Sequence, residues 1–125
     1  MGKDEILIDT SAFISKKTRK GKVSVITLIE FIDWALKKYM EYSKKGEKLR
    51  ALGYLNLITS LPLTVDEVVE VKSDEIRDLV YFVVEKDLDP ADAYLVVLSK
   101  KFKMPLVTTD KDFERVKDQI EIIDP

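Results

Sequence analysis

Four acidic residues stand where a carboxylate could do chemistry. Asp9 follows the apolar run Ile6-Leu7-Ile8, and Asp110 follows Leu106-Val107-Thr108-Thr109. Asp92 lies two residues after Pro90, and Glu30 sits inside the largely apolar stretch from Val23 to Leu36. The chain contains neither histidine nor cysteine. That excludes Ser-His-Asp and Cys-His catalysis, disulfides and imidazole- or thiolate-bound zinc, so any metal would have to be held by oxygen. Chemistry, if present, falls to carboxylates.

Each acid also has a plainer role. Asp9 and Asp110 stand at strand-to-helix turns, where either could cap the helix that follows. Ser11 and Thr109 offer alternative caps, which would leave the aspartates free. Ligands of open parallel sheets collect beyond the carboxyl ends of the strands, so the two carboxylates converge if their strands are neighbours. Asp89 reads as an N-cap with Pro90 at the first helical position. Asp92 either complements that helix dipole or projects toward the strand ends. Asp33 has Lys37 one turn away as a partner. With Ile29 at the middle of the apolar stripe, Glu30 lies about 100° round the helix, near Ile26, Phe31 and Trp34. A buried, unpaired carboxylate is costly and calls for a cationic or metal partner. The competing reading turns Glu30 to solvent over an exposed apolar patch, such as a dimer interface.

The elements that must position these residues alternate between strand and helix. Glu5 to Ile8 reads as a buried strand and a short helix starts near Ala12. A basic loop precedes a long helix from Ser24 to about Ser43, with a stripe of Val25, Leu28, Ile29, Ile32, Leu36 and Tyr39. Gly46 separates it from a second helix through Leu49, Leu52, Leu55 and Ile58. Leu61-Pro62-Leu63 reads as a short edge strand. Thr64 with Glu67 reads as a capping box opening a helix through Val65, Val68, Val69, Ile76, Leu79, Val80 and Val83, broken near Ser73. A helix from Pro90 through Phe102, a strand from Pro105 to Thr108, a short helix from Lys111 to about Lys117 and a strand from Ile120 to Ile123 complete the chain. This alternation predicts an α/β fold with a parallel sheet.

The 125 residues suit one domain spanning 1–125. The net charge of −2 does not by itself announce a nucleic-acid binder. Its distribution is uneven, with 12 basic and 7 acidic residues in positions 1–50 against 9 and 16 afterwards. Lys16, Lys17, Arg19, Lys20 and Lys22 form one cluster. The charged N-terminus and the absence of a long apolar run predict a soluble, cytoplasmic protein with no signal peptide or membrane segment. One Asn and one Gln among many Lys and Glu is a balance expected of a hyperthermophile protein.

LIDTSAFI around Asp9, SVITLIEFI around Glu30, LDPADAYLV around Asp92 and LVTTDKDF around Asp110 resemble, in order and spacing, the acidic motifs of PIN-domain nucleases. The resemblance spans residues 6 to 113. It implies a three-layer α/β/α fold with a small parallel sheet and a metal-dependent ribonuclease site. Asp9, Glu30, Asp92 and Asp110 would be the core acids. Thr10 and Thr108 fit the hydroxyl positions and Asp112 fits a frequent extra acid. The layout is similar to VapC-type toxins of toxin-antitoxin pairs, which implies a VapB-like antitoxin partner and a homodimer. One departure is local: after Asp92-Ala93 the family usually has small residues, whereas this chain has Tyr94, Val96, Val97 and Leu98.

Oxygen ligands select a hard cation, Mg²⁺ or Mn²⁺. Clustered carboxylates without one should show raised pKa values. Asp9 and Asp110 are the expected direct ligands, Asp92 a ligand or water-orienting group, and Glu30 a ligand or base. Ser11 and Thr108 would orient carboxylates or substrate. The Lys16 to Lys22 cluster, with Lys37, Lys38, Lys44 and Lys45, could contact RNA phosphates or simply be solvated. An RNA-processing nuclease, a PIN fold used only for binding or assembly, and a phosphoacceptor receiver-like domain compete with the toxin reading. The receiver lacks its expected early acidic pair and mid-chain acceptor aspartate.

Overall fold

Five short β-branched or apolar segments pair side by side, and every pair is parallel. The computed structural model describes residues 5–15 and 20–125. In chain order the elements are β1 (Leu7–Ile8), α1 (Thr10–Ser15), β2 (Gly21–Ser24), α2 (Val25–Lys44), α3 (Lys48–Thr59), β3 (Val65–Val69), α4 (Ile76–Glu85), α5 (Pro90–Phe102), β4 (Leu106–Val107) and β5 (Ile122–Ile123). Strand order is β3-β2-β1-β4-β5. The chain winds outward from β1 to one edge and then returns to the other side, so β1 and β4 flank the topological switch.

Alternation along the strands builds the layers. Ile6, Ile8 and Val107 face a core with Ala12 and Phe13 of α1 and Phe31 of α2. Leu7 and Leu106 face the opposite core with Phe82 of α4, Leu95 to Leu98 of α5, and Phe113 and Val116 of a 3-10 turn at Lys111–Val116. Helices therefore cover both faces, the three-layer α/β/α arrangement expected. At the β3 edge the register steps from Gly21–Val65 to Lys22–Glu67, leaving Asp66 as an inserted residue. That bulge is why Val65 and Val69, four apart, serve opposite cores. No helix among the described residues is long and apolar enough to cross a membrane.

Two expectations for the middle of the chain are corrected. Leu61–Leu63 is a 3-10 turn and Val65–Val69 is the edge strand. The Thr64 hydroxyl donates to the Leu61 carbonyl at 3.2 Å instead of opening a helix. Val65, Val68 and Val69 fit both a helical and a strand pattern, and pairing with Gly21–Ser24 decides for the strand. That partner had been read as the end of a basic loop. Lys22 is in the sheet and bridges Glu67 at 2.7 Å, Asp66 at 3.4 Å and Glu5 at 3.7 Å. These carboxylates hold its pKa above the ordinary lysine value, through the Glu67 hydrogen bond first. Lys16, Lys17 and Arg19 lie outside the described residues; Lys20 is exposed.

Gly21 is required by closeness. A Cβ there would lie 2.7 Å from Ile6 Cγ1, 3.0 Å from Ile8 Cδ1 and 3.1 Å from the Ile6 carbonyl oxygen. Gly21→Ala is expected to lower stability by about 1–3 kcal/mol through overpacking between β1 and β2, measured by urea melts. Gly46, at φ +77°, ends α2 in the left-handed conformation, and the Glu47 amide then reaches the Tyr42 carbonyl at 2.9 Å.

The buried side of α2 also differs from the expected stripe. Thr27, Phe31, Ala35 and Tyr42 are buried, while Ile29 is 59 % exposed. The docked face is centred near Phe31, over half a turn from Ile29. Phe13, Phe31, Trp34, Tyr54 and Tyr42 form a continuous aromatic ladder from α1 across α2 to α3, with centroids 4.7 to 5.7 Å apart. An α2 that is apolar nearly all round carries no single periodic answer, and these large rings decide its rotation. α5 is buried from Leu95 to Ser99, which accounts for its large apolar residues. The Tyr94 hydroxyl accepts from the Val71 amide at 2.8 Å, tying α5 to the chain after β3.

Candidate metal centre

The turn after β1 and the turn after β4 are stitched together by side chains. The Asp9 amide donates to the Val107 carbonyl at 2.9 Å, which places the end of β1 beside β4. Asp9 is buried. Its Oδ2 accepts from the Thr108 hydroxyl at 2.7 Å and the Ser11 hydroxyl at 3.1 Å, and Oδ1 accepts from the Thr10 amide at 2.8 Å. Ser11 Oγ also accepts from the Thr109 amide at 3.1 Å. Thr108 Oγ1 accepts from the Asp110 amide at 3.0 Å. Both turns are thereby locked in one geometry. Thr109 is exposed and is not the cap of the 3-10 turn. Asp110 is, with Oδ1 accepting from the Asp112 amide at 2.9 Å. Capping uses one lone pair and leaves the other oxygen available.

Asp89 caps α5 by accepting from the Ala91 amide at 2.9 Å, with Pro90 in the first turn. This orients Asp92 toward the strand ends. Asp92, Asp110 and Asp112 each offer a carboxylate oxygen, all within 4.8 Å of one another. Burial, and then the charges of Asp110, Asp9, Asp89 and Asp112, push the Asp92 carboxyl up to about 7. Three hard oxygen donors, one of them destabilised as an anion by its neighbours, fit a divalent cation such as Mg²⁺ or Mn²⁺.

Asp92 and Asp110 thus come together as expected, but Asp112, expected only to support them, joins the cluster. Its signal was the one-residue spacing from Asp110 at a strand end. Asp9 and Glu30 are outside the triad. Glu30 is exposed, so the expectation of a buried acid is corrected: with Phe31 and Ala35 inward, the position before Phe31 turns out. It still joins the site network, because the Thr10 hydroxyl donates to its Oε1 at 2.7 Å. The Asp33–Lys37 pair forms at 2.8 Å on the α2 surface.

A family model described as PIN domain matches residues 6–119. The chain belongs to the PIN-domain family. No curated protein matches it significantly. Solved structures of low identity share its fold. PAE2754 from Pyrobaculum aerophilum has a TM-score of 0.69 at 19 % identity, covering 94 % of this chain and 88 % of that one. A toxin-antitoxin complex from Klebsiella pneumoniae gives 0.60 at 18 %, covering 97 % and 98 %. VapBC-1 from nontypeable Haemophilus influenzae gives 0.63 at 16 %, covering 95 % and 96 %. The parallel five-strand sheet with Asp9, Asp92 and Asp110 at its carboxyl end is therefore a PIN fold in both sequence and architecture.

Proposed function

We propose that this PIN domain is an Mg²⁺- or Mn²⁺-dependent endoribonuclease that hydrolyses RNA phosphodiester bonds, and that it acts as the toxin of a VapBC-type pair. The reading rests on one observation: three carboxylate oxygens converge beyond the strand ends at the topological switch, around Asp92, whose proton is held most tightly of the acids among the described residues. Asp92, Asp110 and Asp112 would hold the ion. When bound, such an ion acidifies water and offsets the charge that builds on a phosphodiester under in-line attack.

The remaining roles belong to this chain's own groups. Asp9 is a positioning residue whose Oδ1 accepts a single hydrogen bond and keeps a lone pair that it could offer to a bound cation. Ser11 and Thr108 hold Asp9 and, through the Asp110 amide, keep the two acidic turns in register. Glu30, open to solvent and outside the triad, accepts the proton released as water attacks, while its bond to Thr10 fixes its reach. The toxin assignment and an antitoxin partner are supported by neighbours that are themselves a toxin-antitoxin complex and VapBC-1. A PIN fold used only for RNA binding is the second reading.

Cleavage of structured RNA by the purified chain decides between them. Activity with Mg²⁺ or Mn²⁺, loss in EDTA, and at least about 100-fold loss in Asp110→Asn are expected. Asn caps as well as Asp, so that variant should fold normally. A wild type that cleaves nothing, or an Asp110→Asn that cleaves as well as wild type, sinks the nuclease reading.

A further inference from the structure

The 3-10 turn that carries Asp112 and the turn that launches α5 are joined by one side chain. Arg115 stands in that 3-10 turn between Phe113 and Val116, both fully buried, so the core fixes its backbone while its side chain lies half-exposed at the surface. One arm of the guanidinium, Nη1, donates to the Asp87 carbonyl at 2.5 Å. The other, Nη2, lies 3.7 Å from Asp112 Oδ1. A single planar fork thus touches a carboxylate of the triad and the main chain of the neighbouring turn.

Asp87 is where the second turn needs a brace. Its φ of +55° is left-handed, a region that residues with a Cβ enter only occasionally. From there the chain passes through buried Leu88 to Asp89, the cap of α5, and then to Asp92 in the first helical turn. The position of Asp92 therefore depends on a turn whose own backbone preference opposes it. Asp112 is placed separately, by the cap that Asp110 provides. Among the described residues, the bond from Arg115 to the Asp87 carbonyl is the one hydrogen bond between residues 87–92 and 110–116.

We propose that Arg115 is a positioning residue of the metal centre, holding the Asp92-bearing and Asp112-bearing turns in register so that their carboxylates are gathered before a cation arrives. The inference rests on the metal-binding reading of the triad and not on RNA cleavage. Charge alone would give Arg115 the opposite effect. A guanidinium beside a ligating carboxylate repels a dication and competes for Asp112, so its removal would tighten metal binding. Positioning predicts weaker binding, because ordering the two turns then subtracts from the binding free energy.

Calorimetric titration of the purified chain with Mn²⁺ separates the two. Arg115→Met keeps a long stem and loses the fork, and is expected to raise the Mn²⁺ dissociation constant at least about ten-fold. Lys117→Met removes the same charge from an exposed position just beyond the 3-10 turn, and should bind at least as tightly as wild type. Arg115→Lys keeps the charge but cannot span both partners, so it should also bind more weakly, and it replaces the methionine variant if that one folds poorly. In EDTA, amide hydrogen exchange should quicken in Arg115→Met at both Ala91 and Asp112, the amides held by the two caps, and stay unchanged in the sheet. Cleavage should require more Mn²⁺ yet reach the wild-type rate at saturation. Wild-type or tighter affinity in either Arg115 variant, or an equal loss in Lys117→Met, overturns the proposal. A wild type that takes up no Mn²⁺ overturns it too, whereas one that binds Mn²⁺ and cleaves nothing overturns the nuclease reading alone.

Discussion

Asp92→Asn is expected to abolish RNA cleavage while making the metal-free protein more stable at neutral and alkaline pH. In the folded chain burial, and then the neighbouring carboxylates, push the Asp92 carboxyl up to about 7, far above the ordinary aspartate range. Its raised value means that the folded state binds the proton more tightly than the unfolded one. The contribution to stability is fully present below about pH 4, is lost progressively as pH rises to about 7, and is absent above that. A carboxyl moved that far would correspond to about 4 kcal/mol if wholly buried. Asp92 is only half-buried, and screening reduces the effect to on the order of 1–2 kcal/mol.

Asparagine carries no charge to lose, so its stability should not decline across that window on this account. Urea melts in EDTA at about pH 5 and about pH 8 should therefore show wild type weakening with pH more than the variant. Mg²⁺ should reverse the deficit of wild type at the higher pH, by about 2.7 kcal/mol at a hundred-fold excess over its dissociation constant, and leave the variant nearly unmoved. Equal pH dependence in the two proteins would show that the Asp92 charge is not strained.

The same substitution one turn of the site away should have the opposite sign. Asp9 is buried and accepts from the Thr10 amide and from the hydroxyls of Ser11 and Thr108. Asn supplies one acceptor oxygen and one NH₂ donor. In either orientation the NH₂ faces at least one existing donor, because donors approach both oxygens of Asp9. Asp9→Asn is expected to lower stability by about 2–3 kcal/mol, since hydrogen bonds to a charged acceptor are the strong ones. Cleavage should fall as well, because Thr108 also holds the Asp110 amide. Chemical denaturation of both variants side by side at about pH 8 without metal gives the contrast. If Asp9→Asn and Asp92→Asn shift stability in the same direction, the division of the acids into a held carboxylate and a strained one is wrong.

What could be read along the chain was whatever a short window encodes. Asp89-Pro90 announced the start of α5, Ser24 the start of α2, and the apolar runs before Asp9 and Asp110 announced β1 and β4. The order and spacing of the four acidic motifs identified the family before any geometry was known, and the PIN-domain match over residues 6–119 agrees. Windows failed where two patterns fit the same residues. Val65 to Val69 could be helix or strand, and α2 could turn several apolar faces inward.

Those ambiguities, and which acids lie together, were decided only by partners far away in sequence. β3 is a strand because Gly21–Ser24 lies beside it, and Lys22 is an ion-paired sheet residue for the same reason. α2 is rotated by rings on α1 and α3, which turns Glu30 to solvent and onto the Thr10 hydroxyl. The Ser11–Thr108 and Asp9–Thr108 contacts join residues 97 and 99 positions apart. By itself the sequence determined which oxygen-bearing residues are available and that no softer ligand competes with them. Tertiary structure decided that Asp112, and not Glu30, closes the cluster on Asp92 and Asp110, because the 3-10 turn capped by Asp110 brings the next acid back to the strand end.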